Sequence, residues 1–178
     1  MKCPVCKNYT LAVNELEQNL SARQCPQCKG RWIGSFQYWK WHETSGKSLT
    51  EAPASAADGL PVKDSTKAKL CPECGHFLRR HPVGHGIAFG LDRCGNCGGM
   101  WFDQNEWEVL KSRNLHDDVH KVFSEIWQRQ LKDEAHQAAM DTFYKQKFGA
   151  EDYKKALEIK NWLNAHPDSA ALRAFLGL

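Results

Sequence analysis

Apolar positions change period along this chain, and each change predicts a different element. Leu11 and Val13, then Leu20 and Ala22, alternate on either side of a polar turn, the pattern of a half-buried β-hairpin. Phe77 precedes a second polar turn, and Ile87, Phe89 and Leu91 alternate after it. From Asp103 onward the texture becomes helical. Asp103 with Glu106 three residues later predicts a capping box and a helix over about 104–112. Val119, Val122, Phe123, Ile126, Trp127, Leu131, Ala135 and Ala138 form one stripe of a second helix, over about 117–148. Gly149 stops it, a third helix covers about 151–164, and His166-Pro167-Asp168 restarts a last one through Leu176. The stripe is expected to pack against Tyr153, Leu157, Trp162, Leu163, Leu172 and Phe175, as the core of a helical region that includes Phe143, Tyr144 and Phe148.

Cysteine chemistry explains why such short hairpins fold. Eight cysteines form four Cys-x-x-Cys pairs: Cys3/Cys6, Cys25/Cys28, Cys71/Cys74 and Cys94/Cys97. The first two pairs are separated by 18 residues and the last two by 19, the spacing of one four-cysteine zinc site each. The two sets are also a repeat, offset by 68 or 69 residues, in which Trp32 and Trp101 each follow the last cysteine by four positions. Both indoles are expected to shield the metal. A segment of roughly 35 residues buries too little apolar surface to fold alone. Metal binding of about 10–16 kcal/mol supplies what the core lacks. Disulfides need an oxidising compartment, and a redox pair needs one Cys-x-x-Cys in a βαβ setting. Rubredoxin-type iron, with electron carriage, is the remaining alternative for four thiolates. Two zinc ions are the expected cofactors, and four thiolates leave no open coordination position, so no metal-assisted catalysis is expected.

Composition narrows the setting. No run approaches the roughly 20 apolar residues of a membrane span. The opening Met-Lys-Cys-Pro-Val-Cys has no secretory segment, which predicts a cytoplasmic protein. The formal charge is +3, but two zinc ions add four charges and eight thiolates remove eight, so the loaded chain sits near −1. Nucleic-acid binding must therefore rest on local patches.

The segment Cys71-Pro72-x-Cys74, then Cys94-x-x-Cys97-Gly98-Gly99-Met100-Trp101-Phe102-Asp103-x-x-Glu106, resembles the bacterial zinc-ribbon family named after transcription factor IIB. The resemblance covers about 71–110 and implies a zinc ribbon leading into a capped helix. The first repeat keeps its cysteines, Gly30 and Trp32 but carries Lys29, Gly34 and Gln37 where the family has Gly, Asp and Glu. It therefore looks like a degenerate copy that holds metal and lacks the capped helix. The tail resembles the helical extension of longer members. A ribbon shape by itself carries no function.

The expected architecture is a small metal-bound α+β fold: two tandem four-cysteine zinc ribbons, each a β-hairpin with two knuckles, followed by an α-helical C-terminal region. Ribbon one takes 1–43, a flexible linker 44–69, ribbon two with its helix 70–115, and the helical region 116–178. Four aromatics, Phe36, Tyr38, Trp39 and Trp41, crowd the end of ribbon one; they either cover it or form a docking strip for a protein partner. Arg79, Arg80, His81, His85 and Arg93 around the second hairpin are either a phosphate-contacting patch or a solvated tip. Glu15 and Glu17 are separated by Leu16, unlike the adjacent acids of a polymerase-entering hairpin. His116 and His120 have helical i, i+4 spacing but no third ligand, and Asp117 and Asp118 between them favour an ordinary helix start. No nucleophile–base pair or phosphate-cradling loop stands out. The leading expectation is a non-catalytic adaptor using the aromatic strip and the C-terminal helices. A nucleic-acid- or RNA-polymerase-associated factor is the alternative.

Overall fold

The computed structural model describes residues 1–46 and 60–178. The order of elements is β1 (Ala12–Glu17), β2 (Leu20–Gln24), β3 (Arg31–Ile33), α1 (Ser35–Thr44), β4 (Leu78–Gly84), β5 (Ile87–Cys94), β6 (Met100–Phe102), α2 (Glu106–Ser112), α3 (Val119–Val122), α4 (Glu125–Phe148), α5 (Ala150–Ala165) and α6 (Ser169–Leu176). They form two compact units, Met1–Arg129 and Gln130–Leu178.

In the first unit the two ribbons share one six-stranded antiparallel sheet, ordered β1-β2-β3-β6-β5-β4. Each repeat contributes a hairpin and a short third strand, and the third strands pair with each other. Their register sets Arg31 opposite Phe102, Trp32 opposite Trp101 and Ile33 opposite Met100. Trp32 and Trp101 are repeat equivalents, so a local two-fold axis passes between them. Edge strands seek partners, and here each ribbon covers the other's open edge.

Strand alternation sorts the side chains to two faces. Ile33, Met100 and Phe102 join Leu20, Ala22, Val83, Ile87, Phe89 and Leu91 in a core closed by Tyr38 and Trp41 of α1, Trp107 and Leu110 of α2, and Val119 and Val122 of α3. Trp32 and Trp101 fall among the cysteines, with Leu11 and Leu78. Ion pairs tie ribbon one to α2: Arg31 to Glu108 at 2.5 Å and Lys111 to Glu17 at 2.7 Å. Trp107 Nε1 also donates to Glu17, at 3.1 Å, and Glu15 accepts the Asn19 amide at 3.1 Å. Both hairpin acids therefore hold structure.

Three expectations need correction. Ribbon one does carry a helix: α1 begins at Gly34 without a side-chain cap, and burial of Tyr38 and Trp41 replaces the stabilisation a cap provides. The segment 44–69 is not uniformly a tether. Residues 47–59 lie outside the described residues, but Lys63 bridges to Gln104 and Lys69 is buried. The continuous helix over 117–148 is broken at Phe123 and Ser124, where Ser124 Oγ accepts the Trp127 amide at 3.2 Å and acts as the N-cap of α4. Phe123 instead turns into the core, and Trp127 Nε1 donates to the Val83 carbonyl at 2.9 Å. The first unit thus extends past residue 115, to Arg129.

The second unit is helical and open. Tyr144 and Phe148 stack with ring centroids 5.4 Å apart, and Lys145 lies over the Tyr153 ring at 5.3 Å. A groove of about 320 Å³ runs between Met140, Tyr144 and Phe148 on one side and Tyr153 and Leu157 on the other. Among the residues expected to pack there only Leu163 is buried; Leu157, Trp162 and Phe175 are exposed.

Candidate metal centres

Each cysteine pair sits on the same tight turn. The amide four residues past the first cysteine folds back: Lys7 N donates to Cys3 O at 2.9 Å, Lys29 N to Cys25 O at 3.1 Å, Gly75 N to Cys71 O at 3.0 Å and Gly98 N to Cys94 O at 3.0 Å. The residue after the second cysteine has positive φ in all four turns: 58° at Lys7, 61° at Lys29, 76° at Gly75 and 74° at Gly98. This conformation suits glycine and strains lysine. Each turn aims amides at sulfur, as with Cys6 N to Cys3 Sγ at 3.3 Å and Cys74 N to Cys71 Sγ at 3.4 Å.

The turns bring Cys3, Cys6, Cys25 and Cys28 together as one group, and Cys71, Cys74, Cys94 and Cys97 as another, with all Sγ atoms in each group within 4.8 Å of one another. The closest sulfurs are 3.6 Å apart for Cys3 and Cys28, 3.6 Å for Cys71 and Cys97, and 3.4 Å for Cys74 and Cys94. A tetrahedral ion with metal–sulfur bonds of about 2.3 Å sets its ligands about 3.8 Å apart. Donor type, number and spacing all fit a structural zinc ion in each site.

The indoles shield the sites reciprocally, and not each its own. A Cβ on Gly30 would collide with the Trp101 ring, and a Cβ on Gly99 with the Trp32 ring. Trp32 Nε1 also donates to Glu73, between Cys71 and Cys74, at 3.3 Å. Trp101 Nε1 donates to Asp103 at 2.7 Å.

Behind Trp101 lies a buried ionic network that includes the end of the expected tether. Lys69 Nζ is 2.5 Å from Asp92, 3.2 Å from Asp103 and 2.5 Å from the Ser65 carbonyl. Asp103 accepts the Ser65 amide at 2.8 Å, and Arg80 pairs with Asp64. Because Asp103 is spent on Ser65, Trp101 and Lys69, only half of the capping box forms: the Asp103 amide donates to Glu106 at 2.8 Å. The helix accordingly starts at Glu106, after Asn105 in a left-handed conformation. Burial raises the Glu106 carboxyl well above its usual range, and the neighbouring Asp103 charge adds to the shift. Asp64, Asp103 and Glu106 converge as possible ligands, but the Lys69 ammonium already supplies their cation.

The other candidate residues divide. Tyr38 and Trp41 are buried, whereas Phe36 and Trp39 are 74% and 41% exposed, so only half of the aromatic strip is free. His116 is wedged between Trp41 and Trp107. His120 contacts Tyr38, Trp39 and His42 and accepts or donates at Nδ1 to Tyr38 Oη at 3.0 Å. Among the described residues neither histidine joins a group of three ligand atoms. At the second hairpin, Arg80 is taken by Asp64, His81 packs on Phe123 and His85 on Trp127. Burial pushes His81 and His120 below the usual imidazole range, as nearby Arg93 and His42 respectively reinforce. Arg79 and Arg93 remain, directly opposite each other on β4 and β5.

This fold and these sites define a tandem zinc-ribbon protein. Residues 2–44 and 70–113 both match the family described as Transcription factor zinc-finger, and both ribbons belong to it. No curated protein and no solved structure matches the chain. Among the described residues no helix is long and apolar enough to cross a membrane.

Sequence reasoning missed Lys69, Asp92 and Glu73. Lys69 stands in a stretch without hydrophobic period, and its only signal is its place two residues before a knuckle. Glu73 resembles a variable knuckle position because its partner, Trp32, belongs to the other repeat.

Proposed function

We propose that this chain is a non-catalytic, zinc-stapled adaptor that presents its C-terminal helices to a protein partner. One observation carries the reading: α4 buries none of its 24 residues, while Phe143, Phe148, Leu157, Ile159 and Trp162 of α4 and α5 are all exposed. Exposed aromatics at this density mark interaction surfaces. The four-thiolate sites supply a scaffold and leave no position for substrate. Of the expected strip on ribbon one, Phe36 and Trp39 remain available.

The test is affinity capture from extract with the full zinc-loaded chain and with Phe143→Ser/Trp162→Ser. The adaptor reading expects a stoichiometric protein partner that the wild type retains and the variant loses, with zinc content unchanged. Capture of nothing, or equal capture by both, rejects it. A second reading, a nucleic-acid-associated factor, rests on Arg79 opposite Arg93.

A further inference from the structure

The two repeats meet on the helix side of the sheet around a small pocket that neither repeat forms alone. Its volume is about 260 Å³, and its walls come from Tyr38 and Trp39 of α1, Arg93 and Gly98 of ribbon two, and His120 and Phe123. This is below the roughly 300–1,000 Å³ of a drug-sized site, so it suits one ring rather than a whole cofactor. Trp39 and His120 form its aromatic wall, with ring centroids 5.1 Å apart. The Arg93 guanidinium is held in place opposite, 5.3 Å over the Phe123 ring.

Arg93 also has a specific electrostatic need. Arg79 faces it across the β4–β5 pair, and directly opposed like charges on a sheet are unfavourable. Among the described residues no carboxylate lies within ion-pair distance of either. The other arginine of this hairpin, Arg80, has Asp64. An anion bridging Arg79 and Arg93 relieves the repulsion.

We propose that this seam pocket binds single-stranded nucleic acid, one base entering against Trp39 and His120 while the adjoining phosphate bridges Arg93 and Arg79. Stacking on an aromatic platform beside backbone-contacting cations is the chemistry of sequence-tolerant single-strand binding. A ring must enter the pocket, and duplex bases are stacked and paired, so single strands are favoured over duplex. The site rests on the nucleic-acid reading and relocates it. The outer end of the hairpin, where His81 and His85 are packed against aromatic rings, is not the contact; the seam between repeats is.

The test is fluorescence anisotropy of labelled dT and U 12-mers with the full zinc-loaded chain at low and moderate salt. Expected is salt-sensitive binding that Trp39→Ala weakens at least about fivefold. Arg93→Ala is expected to lower the salt slope by about one phosphate contact. Each variant is checked for two zinc ions per chain and for unchanged circular dichroism. Because Arg93→Ala also removes packing on Phe123, the Trp39 indole N–H resonance of the wild type supplies a second measure, and it is expected to shift on adding oligonucleotide. Binding that ignores both variants and leaves Trp39 unshifted overturns the site while sparing the broader reading. No binding even at low salt overturns both. Tighter capture of an acidic, tyrosine-rich peptide than of either 12-mer assigns the pocket to a protein ligand and overturns the proposal.

Discussion

The indole of Trp32 occupies the space that a side chain on Gly99 would fill, and Trp101 does the same over Gly30. Each tryptophan is thus covalently part of one zinc ribbon and packs as a structural part of the other. Trp32 is 2% exposed and Trp101 fully buried, so losing either leaves a cavity beside the opposite metal site. Trp32→Ala is expected to cost about 3–5 kcal/mol and to loosen the Cys71–Cys97 site more than its own. Cobalt substitution with chelator challenge checks this, using single-site cysteine variants to assign the spectra. Faster loss from the Cys3–Cys28 site alone would contradict the reciprocal arrangement.

Because the sites share a sheet and a pair of indoles, metal at one favours the folded edge that the other needs. Titrating cobalt into the metal-free chain is expected to fill both sites together, with few singly loaded molecules by native mass spectrometry. Gly99→Ala, which forces a Cβ into the Trp32 ring, is expected to cost about 1–3 kcal/mol as an overpacked contact and to raise the singly loaded fraction. Two independent, statistical loadings in the wild type would disprove the coupling.

The metal sites are legible in the sequence because four Cys-x-x-Cys pairs fix a tetrahedron locally, whatever the remaining chain does. The shared sheet is not. Pairing of Trp32 with Trp101 joins residues 69 positions apart, and hydrophobic alternation says nothing about which edge meets which. Gly34 and Gln37 signal a missing cap correctly, yet α1 forms because Tyr38 and Trp41 find His120 and Trp107 far along the chain. The stripe from Val119 has the period of one helix because it continues through Phe123, and the Ser124 cap is the local signal that divides it. Lys69 has no local sign of burial because its partners, Asp92 and Asp103, are 23 and 34 residues away.

Lys69 is 2.5 Å from Asp92, with its side chain 1% exposed. Breaking a buried pair by removing one partner typically costs about 3–5 kcal/mol, because an uncompensated charge stays behind. Lys69→Met is expected to fall in that range by chemical denaturation, and adding Asp92→Asn is expected to recover part of the loss. A Lys69→Met chain as stable as wild type would show that 60–69 does not hold ribbon two together.

Lys7 and Lys29 occupy left-handed positions that Gly75 and Gly98 fill in the second repeat. A non-glycine residue there costs about 1–2 kcal/mol, partly offset by glycine's larger freedom in the unfolded chain. Lys29→Gly is expected to stabilise ribbon one by about 0.5–1 kcal/mol in thermal unfolding, with a slower zinc transfer to chelator. The same change at Lys7 is expected to act in the same direction, and destabilisation at both positions would refute the strain argument.

Glu106 gives the pH dependence a sign. Its carboxyl is raised by burial and by Asp103, and one oxygen, Oε1, is buried without a partner. The folded state therefore holds this proton more tightly than the unfolded state. Its contribution is complete below the unfolded carboxylate range and is lost as pH rises toward the raised folded value. Glu106→Gln keeps an acceptor for the Asp103 amide and removes the buried charge. The variant is expected to be more stable than wild type by roughly 1 kcal/mol at pH 8, the low end of the cost of an unsatisfied buried group. That advantage is expected to shrink toward pH 5. Comparing the two proteins at each pH cancels the proton release that accompanies zinc binding by the thiolates. A stability difference that is flat between pH 5 and 8 would mean that Glu106 is ionised throughout, with Lys69 and Arg80 offsetting its charge.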